Sequence, residues 1–319
     1  MRAFRLSALN TPPDVMDIPD PDPAAGQVRI RVAACGLNFA DLLMIAGQYQ
    51  ERHALPFTMG MEVSGVIDQV GDAVETLRPG MRVAAFVGQG GLAEFCVCPA
   101  NHCLPIPDQM PHEHAAAFQI AYGTSHLALA HRARLQQGET LLVLGAAGGV
   151  GLTAVEIGKH LGARVIAVAR GAEKVQVARD AGADIALDSD TTDLRAECRA
   201  LGGVDVVYDT VGAPMADSAL RSLRPEGRFL TIGFAGGTVP HFPANVLLVK
   251  NISVLGLYWG GYMRFAPQVL TDSLAALLHW YAQGLLRPHV SHVLPLEQTA
   301  EGLDLLRSRA STGKVVITP

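Results

Sequence analysis

Apolar and polar positions alternate with two different periods along this chain. Gln27–Ala34 (QVRIRVAA) alternates apolar with charged or polar residues, which predicts a half-exposed antiparallel strand. Val63–Val70 and Arg82–Val87 are further strand-like runs, each set off by glycine or proline, and Pro79-Gly80 marks a turn between them. The N-terminal third therefore predicts a small β-rich, barrel-like domain. From Ala115 the character changes. Ala115–Leu129 is alanine-rich and predicts a helix with Pro111 near its start. Strand-like runs then alternate with helical ones at Leu141–Leu144, Ala163–Ala169, Asp184–Leu187, Asp205–Tyr208, Arg228–Ile232 and Ile252–Leu257. That alternation is the α/β pattern of a parallel sheet. A helix over Pro267–Gln283 and a strand over Lys314–Thr318 close the chain.

The stretch Leu141–Leu161 (LLVLGAAGGVGLTAVEIGKHL) organises the rest. A wholly apolar run suits a strand buried on both faces, and Val150, Ala154, Ile157 and Leu161 recur at helical spacing. Between them lie Gly145, Gly148, Gly149 and Gly151, with only alanine and valine for company. Strand, glycine turn and helix together present free N–H groups and the positive end of a helix dipole to a phosphate. The spacing departs from the strict G-x-G-x-x-G pattern, and turns or tight packing also select glycine. Ala163–Ala169, following a helix-ending Gly162, completes a βαβ unit and favours the dinucleotide reading.

At the end of that second strand an acidic residue would suit a ribose hydroxyl, and an arginine a 2′-phosphate. The chain offers Arg170-Gly171, with Lys174 one turn further on, which favours NADPH over NADH. Composition narrows the class. A 319-residue chain that is 49% hydrophobic has length enough for two domains, and its net charge of −5 argues against a nucleic-acid partner. No apolar run near the glycine turn is long enough to span a membrane, the N-terminus does not read as a secretory signal, and five cysteines do not suggest a disulfide framework. A cytoplasmic location is the expectation.

Other residues invite chemistry with a plainer reading beside it. Asn38 and Asp41 lie three apart where the alternating strand gives way to a helix, and Tyr49 follows. They could line a substrate cleft, or form a helix cap with a buried hydrogen bond. Cys96, Cys98 and Cys103 lack the paired spacing of zinc sites and read as buried thiols. His112-Glu113-His114 does not converge as H-E-x-x-H does and reads as surface. The segments Asp205–Gly212 and Thr231–Gly237 read as strands emptying toward a ligand crevice.

Taken together, GLNFADLLMIAGQY (36–49), GMEVSGVIDQVG (60–71), GGLAEFCVCPA (90–100), AAGGVG (146–151), VDVVYDTVG (204–212) and GKVVITP (313–319) resemble the medium-chain dehydrogenase/reductase superfamily, in its quinone oxidoreductase (zeta-crystallin-like) branch. The resemblance covers nearly the whole chain. It implies an α/β fold: a GroES-like, β-rich catalytic domain built from residues 1–120 and 258–319, with a Rossmann domain, a doubly wound parallel sheet, over 121–257. Zinc-dependent relatives carry a cysteine and a histidine of the catalytic metal site at the positions of Asn38 and Met61, so the resemblance implies no metal site here. By position, Asn38, Asp41 and Tyr49 would border substrate and nicotinamide. Thr124 would touch the cofactor near its pyrophosphate or nicotinamide ribose, Ala147, Gly148, Gly149 and Val150 would hold the pyrophosphate, and Arg170 and Lys174 would meet the 2′-phosphate. Phe234, Gly256, Tyr258 and Trp259 would lie around the nicotinamide. A tyrosine of several quinone reductases is replaced by Asp188, whose carboxylate would repel the phosphate if it pointed inward. The implied activity is NADPH-dependent reduction of a quinone, with an enone or enoyl thioester as the alternative substrate and a non-catalytic NADPH-binding protein as a third reading. Ile252–Leu257 is expected to pair across a homodimer as in relatives.

Overall fold

The alternating run at Gln27 forms the longest strand of the N-terminal region, Gln27–Gly36, and its alternation decides its two faces. Val28, Ile30, Val32 and Ala34 are buried. Arg29 and Arg31 point the other way, where both reach the Asp68 carboxylate, at 2.5 and 2.8 Å. The computed structural model describes residues 1–319, and the chain divides into two units, Met1–Ile120 with Pro288–Pro319, and Ala121–Arg287.

In the first unit a seven-stranded sheet runs in the order Val290–Pro295, Lys314–Thr318, Gln27–Gly36, Glu62–Val70, Arg82–Phe86, Cys103–Pro105, with Phe95–Pro99 paired to Gln27–Gly36 off that path. Its pairings are antiparallel except that between Val290–Pro295 and Lys314–Thr318. A three-stranded sheet, Asp14–Asp17, Arg2–Leu6 and Phe57–Thr58, completes the β-rich unit. Cys96, Cys98 and Cys103 are buried thiols, with Cys98 Sγ 3.4 Å from Cys103 Sγ.

In the second unit six strands are all parallel and lie in the order Ile185–Asp188, Arg164–Ala169, Thr140–Leu144, Val204–Asp209, Leu223–Thr231, Ser253–Gly256. Chain order runs outward from Thr140–Leu144 in one direction, then resumes on its other side, so the switch point lies between Thr140–Leu144 and Val204–Asp209. Leu142, Leu144, Ile166, Val207 and Phe229 are buried in the core on this sheet, which explains why these runs read as continuously apolar rather than alternating.

Three expectations need correction. The alanine-rich stretch is not one helix: His112–Ala116 ends, Gln119–His126 follows, and a π-helical turn takes over at Leu127–Arg132, closed by Ala133 N–H donating to Ala128. Alanine favours a helix without saying where it must bend, and fully buried Phe118 sits at the break. The second unit continues to Arg287, so Pro267–Ala282 belongs with it; residues 258–287 were expected in the first unit. Ser273 on that helix bonds His126 at 2.7 Å, a contact no local pattern reveals. The third is His112, expected at the surface. It is half-buried, and its Nδ1 lies 2.8 Å from Ser64 Oγ.

Candidate active site

The parallel register brings the ends of the strands to one edge. Val168 pairs with Leu144, Leu144 with Asp209, Asp209 with Thr231, Thr231 with Gly256, and on the other flank Ala169 with Asp188. Ligands of open α/β sheets bind outside this carboxyl edge. Here the glycine turn leaves the sheet. Gly145 has φ +71, and a Cβ there would sit 2.4 Å from Thr210 Oγ1. A Cβ on Gly151 would lie 2.1 Å from the Gly145 carbonyl oxygen, so the helix start can fold back over the turn only with glycine at both positions. At Gly148 a Cβ would touch nothing closer than 3.5 Å, which leaves open space above an exposed backbone.

Gly148 caps the helix Gly149–His160 with no side-chain hydrogen bond. Because the first helical bond is Leu152 N–H to Gly148, the N–H groups of Gly149, Val150 and Gly151 stand ahead of it, available to an anion. Their direction is fixed from behind. Ser125 Oγ bonds the Val150 carbonyl at 2.9 Å, Thr153 Oγ1 at 2.8 Å and Tyr208 Oη at 2.9 Å, which ties this helix to the Gln119–His126 helix and to a central strand. Burial pushes the Tyr208 hydroxyl far above its ordinary range, so it stays protonated and keeps the bond. Thr124, adjacent to Ser125, is buried at the same place.

Asp209 closes the central strand. Its Oδ1 accepts Val211 and Gly212 N–H at 2.8 and 2.9 Å, while burial raises its pKa against the pull of those bonds. Two buried oxygens at this edge, Asp209 Oδ2 and Thr231 Oγ1, find no protein partner. A glycine cradle, uncapped amides and two orphaned acceptors fit a dinucleotide.

Further along the edge, Arg170 is exposed, 3.7 Å from Asp190 in an open ion pair, and Lys174 lies in the first turn of Ala172–Asp180. Asp188, the residue expected to repel a phosphate, accepts the N–H groups of Gly171 and Asp190 at 2.9 and 3.1 Å. These bonds hold its pKa below the ordinary value, so the acid is ionised but engaged with backbone. Among the aromatic candidates, Phe234 is half-exposed and Tyr258 half-buried. Trp259 is buried, with its indole against Gly123, where a Cβ would fall 2.4 Å from Nε1. Trp259, expected around the nicotinamide, is thus a buried residue packed one position from Thr124.

In the first unit, Asn38 and Asp41 form the helix cap that was one of their two readings. Asp41 Oδ2 accepts the Asn38 N–H at 2.8 Å at the start of Phe39–Ile45, and Asp41 is fully buried. Burial pushes the Asp41 carboxyl up to about 6, against the Asn38 hydrogen bond and the Lys314 ammonium. Asn38 Nδ2 donates to Glu62 Oε1 at 3.0 Å and to Gly36 at 3.2 Å. Lys314 Nζ donates to Leu37 O at 2.7 Å and to Asn38 Oδ1 and Glu62 Oε1 at 2.8 Å each, which uses all three of its protons. Glu62 Oε2 takes the Ile120 N–H at 3.0 Å. Tyr49 is half-buried beyond the same helix. Sequence reasoning missed this network. The available signal was a lone charge inside each apolar strand, Glu62 in GMEVSGV and Lys314 in GKVVITP.

Residues 24–108 match the family described as "Alcohol dehydrogenase GroES-like domain", and residues 149–275 the one described as "Zinc-binding dehydrogenase". The chain is 41% identical to bovine "Quinone oxidoreductase-like protein 2", over 99% of this chain and 92% of that one. Among solved structures, the quinone oxidoreductase of Thermus thermophilus, also solved with NADPH, superposes with a TM-score of 0.89 at 36% identity over all of both chains. A "NAD-dependent alcohol dehydrogenase" superposes with a TM-score of 0.90 at 30% identity over all of both chains. With a GroES-like unit, a dinucleotide-type parallel sheet and relatives of this identity along its whole length, the chain is an oxidoreductase that belongs to the quinone oxidoreductase branch of the medium-chain dehydrogenase/reductase superfamily.

Proposed function

We propose that this protein is an NADPH-dependent quinone reductase that works without zinc. The observation that carries the cofactor is the cradle at Gly148 followed by Arg170 at the end of the second strand. The N–H groups of Gly149, Val150 and Gly151 hold the pyrophosphate, with Ala147 and Thr124 beside them. Arg170 and Lys174 grip the 2′-phosphate, and Phe234, Gly256 and Tyr258 at the strand ends border the nicotinamide. When bound, the reduced nicotinamide supplies the hydride. The similar structures include one complexed with NADPH and one named NAD-dependent, so the decision between the two cofactors rests on Arg170.

A zinc ion does not fit the first unit. Met61 offers a buried thioether, Asn38 Oδ1 and Glu62 Oε1 are already bonded to the Lys314 ammonium, against which a second cation would be repelled, and Glu62 Oε2 is taken by the Ile120 N–H. Without a Lewis acid the substrate must accept hydride unaided, as a quinone does by delocalising the new charge into its ring. Among the residues proposed to serve the substrate, Asn38 and Asp41 brace the loop, and Tyr49 is the one proposed to meet it.

The test is NADPH oxidation followed by absorbance, with benzoquinone and phenanthrenequinone against crotonyl and acrylyl thioesters, and again with NADH. Turnover with the quinones is expected. Turnover confined to the thioesters would make this an enoyl reductase with Tyr49 as proton donor. The paired change Arg170→Ala and Lys174→Ala should raise KM for NADPH about tenfold or more and leave KM for NADH within about twofold.

The proposed assembly is a homodimer. Ser253–Gly256 is hydrogen-bonded on one side only, by Leu223–Thr231, and Leu248 and Val249 on the preceding helix are each 76% exposed. Light scattering should give twice the 33.7 kDa chain mass, and a Val254→Pro variant the chain mass. No helix is long and apolar enough to cross a membrane. Five free thiols suit a reducing compartment, so the cytoplasm is the proposed location.

A further inference from the structure

At the opposite end of the parallel sheet, where the strands begin, the second unit gathers positive charge around a hollow of about 360 Å³. Arg195, Arg199, Arg221 and Arg224 line it, together with Gly202 and Ser222. The hollow lies beside Val204 and Leu223, which pair as the first residues of their strands. The strand Val204–Asp209 then runs to the carboxyl edge, a length of roughly 20 Å at about 3.3 Å per residue, so the hollow is separate from the glycine cradle.

The charges there are incompletely matched. Arg224 is bonded to Asp205 at 2.7 Å and to the Gly202 carbonyl at 2.8 Å, and Arg221 to Asp217 at 2.9 Å. Lys250 stands beside them, its ammonium bonded to the carbonyls of Arg221 and Leu223, oxygens that carry no net charge. Arg195 and Arg199 are exposed one turn apart on Leu194–Ala200, a spacing at which like charges repel. Glu197 sits between them in sequence, which on a helix turns it to the opposite face. In a chain of net charge −5, Arg195, Arg199 and Lys250 face or flank one concavity with no carboxylate bonded to any of the three, and this surplus marks a site for an anion. Guanidinium forks match phosphate oxygens two at a time, and several forks around one hollow match several phosphates. The volume is at the small end of ligand sites.

The geometry points to a binding site, distinct from the dinucleotide crevice, for a ligand that carries two or more clustered phosphate groups, held by Arg195, Arg199, Arg221 and Arg224. The shared chemistry is the phosphate cluster, which a free polyphosphate or a phosphorylated inositol headgroup can present.

Calorimetric titration with inorganic tripolyphosphate tests it, at fixed ionic strength and with saturating NADPH so that the cradle is filled. One binding event per chain is expected. The double variant Arg195→Ala and Arg199→Ala should weaken it at least tenfold with the NADPH Kd unchanged, and the Arg→Lys pair should recover part of the loss. Both arginines are exposed, so the variants fold. Vesicle flotation separates the sources. Capture by phosphatidylcholine vesicles doped with a phosphatidylinositol bisphosphate, lost in the double variant, identifies a lipid headgroup. Tripolyphosphate binding without capture identifies a soluble ligand. If neither probe binds, or if the double variant binds both as the native chain does, the proposal is overturned.

Discussion

At the scale of single residues, Lys314 shows how much one side chain can hold. Its ammonium is buried and gives its protons to Leu37, Asn38 and Glu62, residues far away in sequence. Replacing it with methionine keeps the aliphatic volume and removes the charge, which leaves the Glu62 carboxylate buried with its partner gone. Breaking a buried pair from one side costs about 3–5 kcal/mol. Lys314→Met should therefore lower the urea midpoint of unfolding strongly, and adding Glu62→Gln should recover part of the loss, because the amide oxygen still accepts and no charge remains. A double variant as unstable as the single one would show that the lysine acts by packing alone. Local sequence placed Asn38 and Asp41 on one helical face and allowed either a cleft or a cap. The cap won because Glu62 and Lys314 surround Asn38, and no spacing within 36–49 announces residues from two other strands. The packing of Trp259 was illegible for the same reason: its neighbour Gly123 is more than a hundred positions away in sequence, with Cβ space already filled by the indole.

At the scale of elements, the reading was most legible where one local rule decided the outcome. The three central parallel strands were visible as apolar runs because both faces are buried, and the terminal strand Lys314–Thr318 falls as expected. The glycine turn was legible because close approach of backbone to backbone allows no other residue. Its glycines nevertheless do different work, and substitution separates them. Gly151→Ala puts a methyl 2.1 Å from a carbonyl oxygen that cannot move without shifting the strand end, so the variant should lose both stability and NADPH binding. Gly148→Ala meets only ordinary contact, with φ −79, so its thermal midpoint should stay close to that of the native protein. The added methyl stands in the cradle, however, and should raise the NADPH Kd about tenfold or more. Thermal melting and a fluorescence titration on the two variants read both effects. A Gly148→Ala protein that binds NADPH normally would remove the cradle from the cofactor site.

At the scale of the whole molecule, a buried carboxyl and the buried imidazoles respond to pH in opposite senses. Asp41 in the first unit has its pKa raised from 3.8 to about 6, chiefly by burial. The fold tolerates its protonated form better than its anion, so this group's stabilisation is complete below the unfolded pKa and is lost as pH rises toward about 6. His126 in the second unit has its pKa lowered from 6.5 to about 4, again chiefly by burial, with His160 adding to it. Its neutral ring is what the fold accepts, bonded to Ser273 and edge-on to Trp280, so its contribution is complete above the unfolded pKa and is lost as pH falls toward about 4. Each shift is worth about 3 kcal/mol across the same acidic window, with opposite sign. Five further histidines lowered by burial, His53, His102, His112, His114 and His289, add to the His126 side. Asp41→Asn keeps an acceptor for the Asn38 N–H and removes the titration. Measured by urea unfolding, it should gain stability relative to the native chain on going from mildly acidic to neutral pH. His126→Gln should do the reverse and be relatively most stable in acid. If both variants shifted in the same direction, burial would not be what sets these two groups, and the assignment of one to each side of the balance would fail.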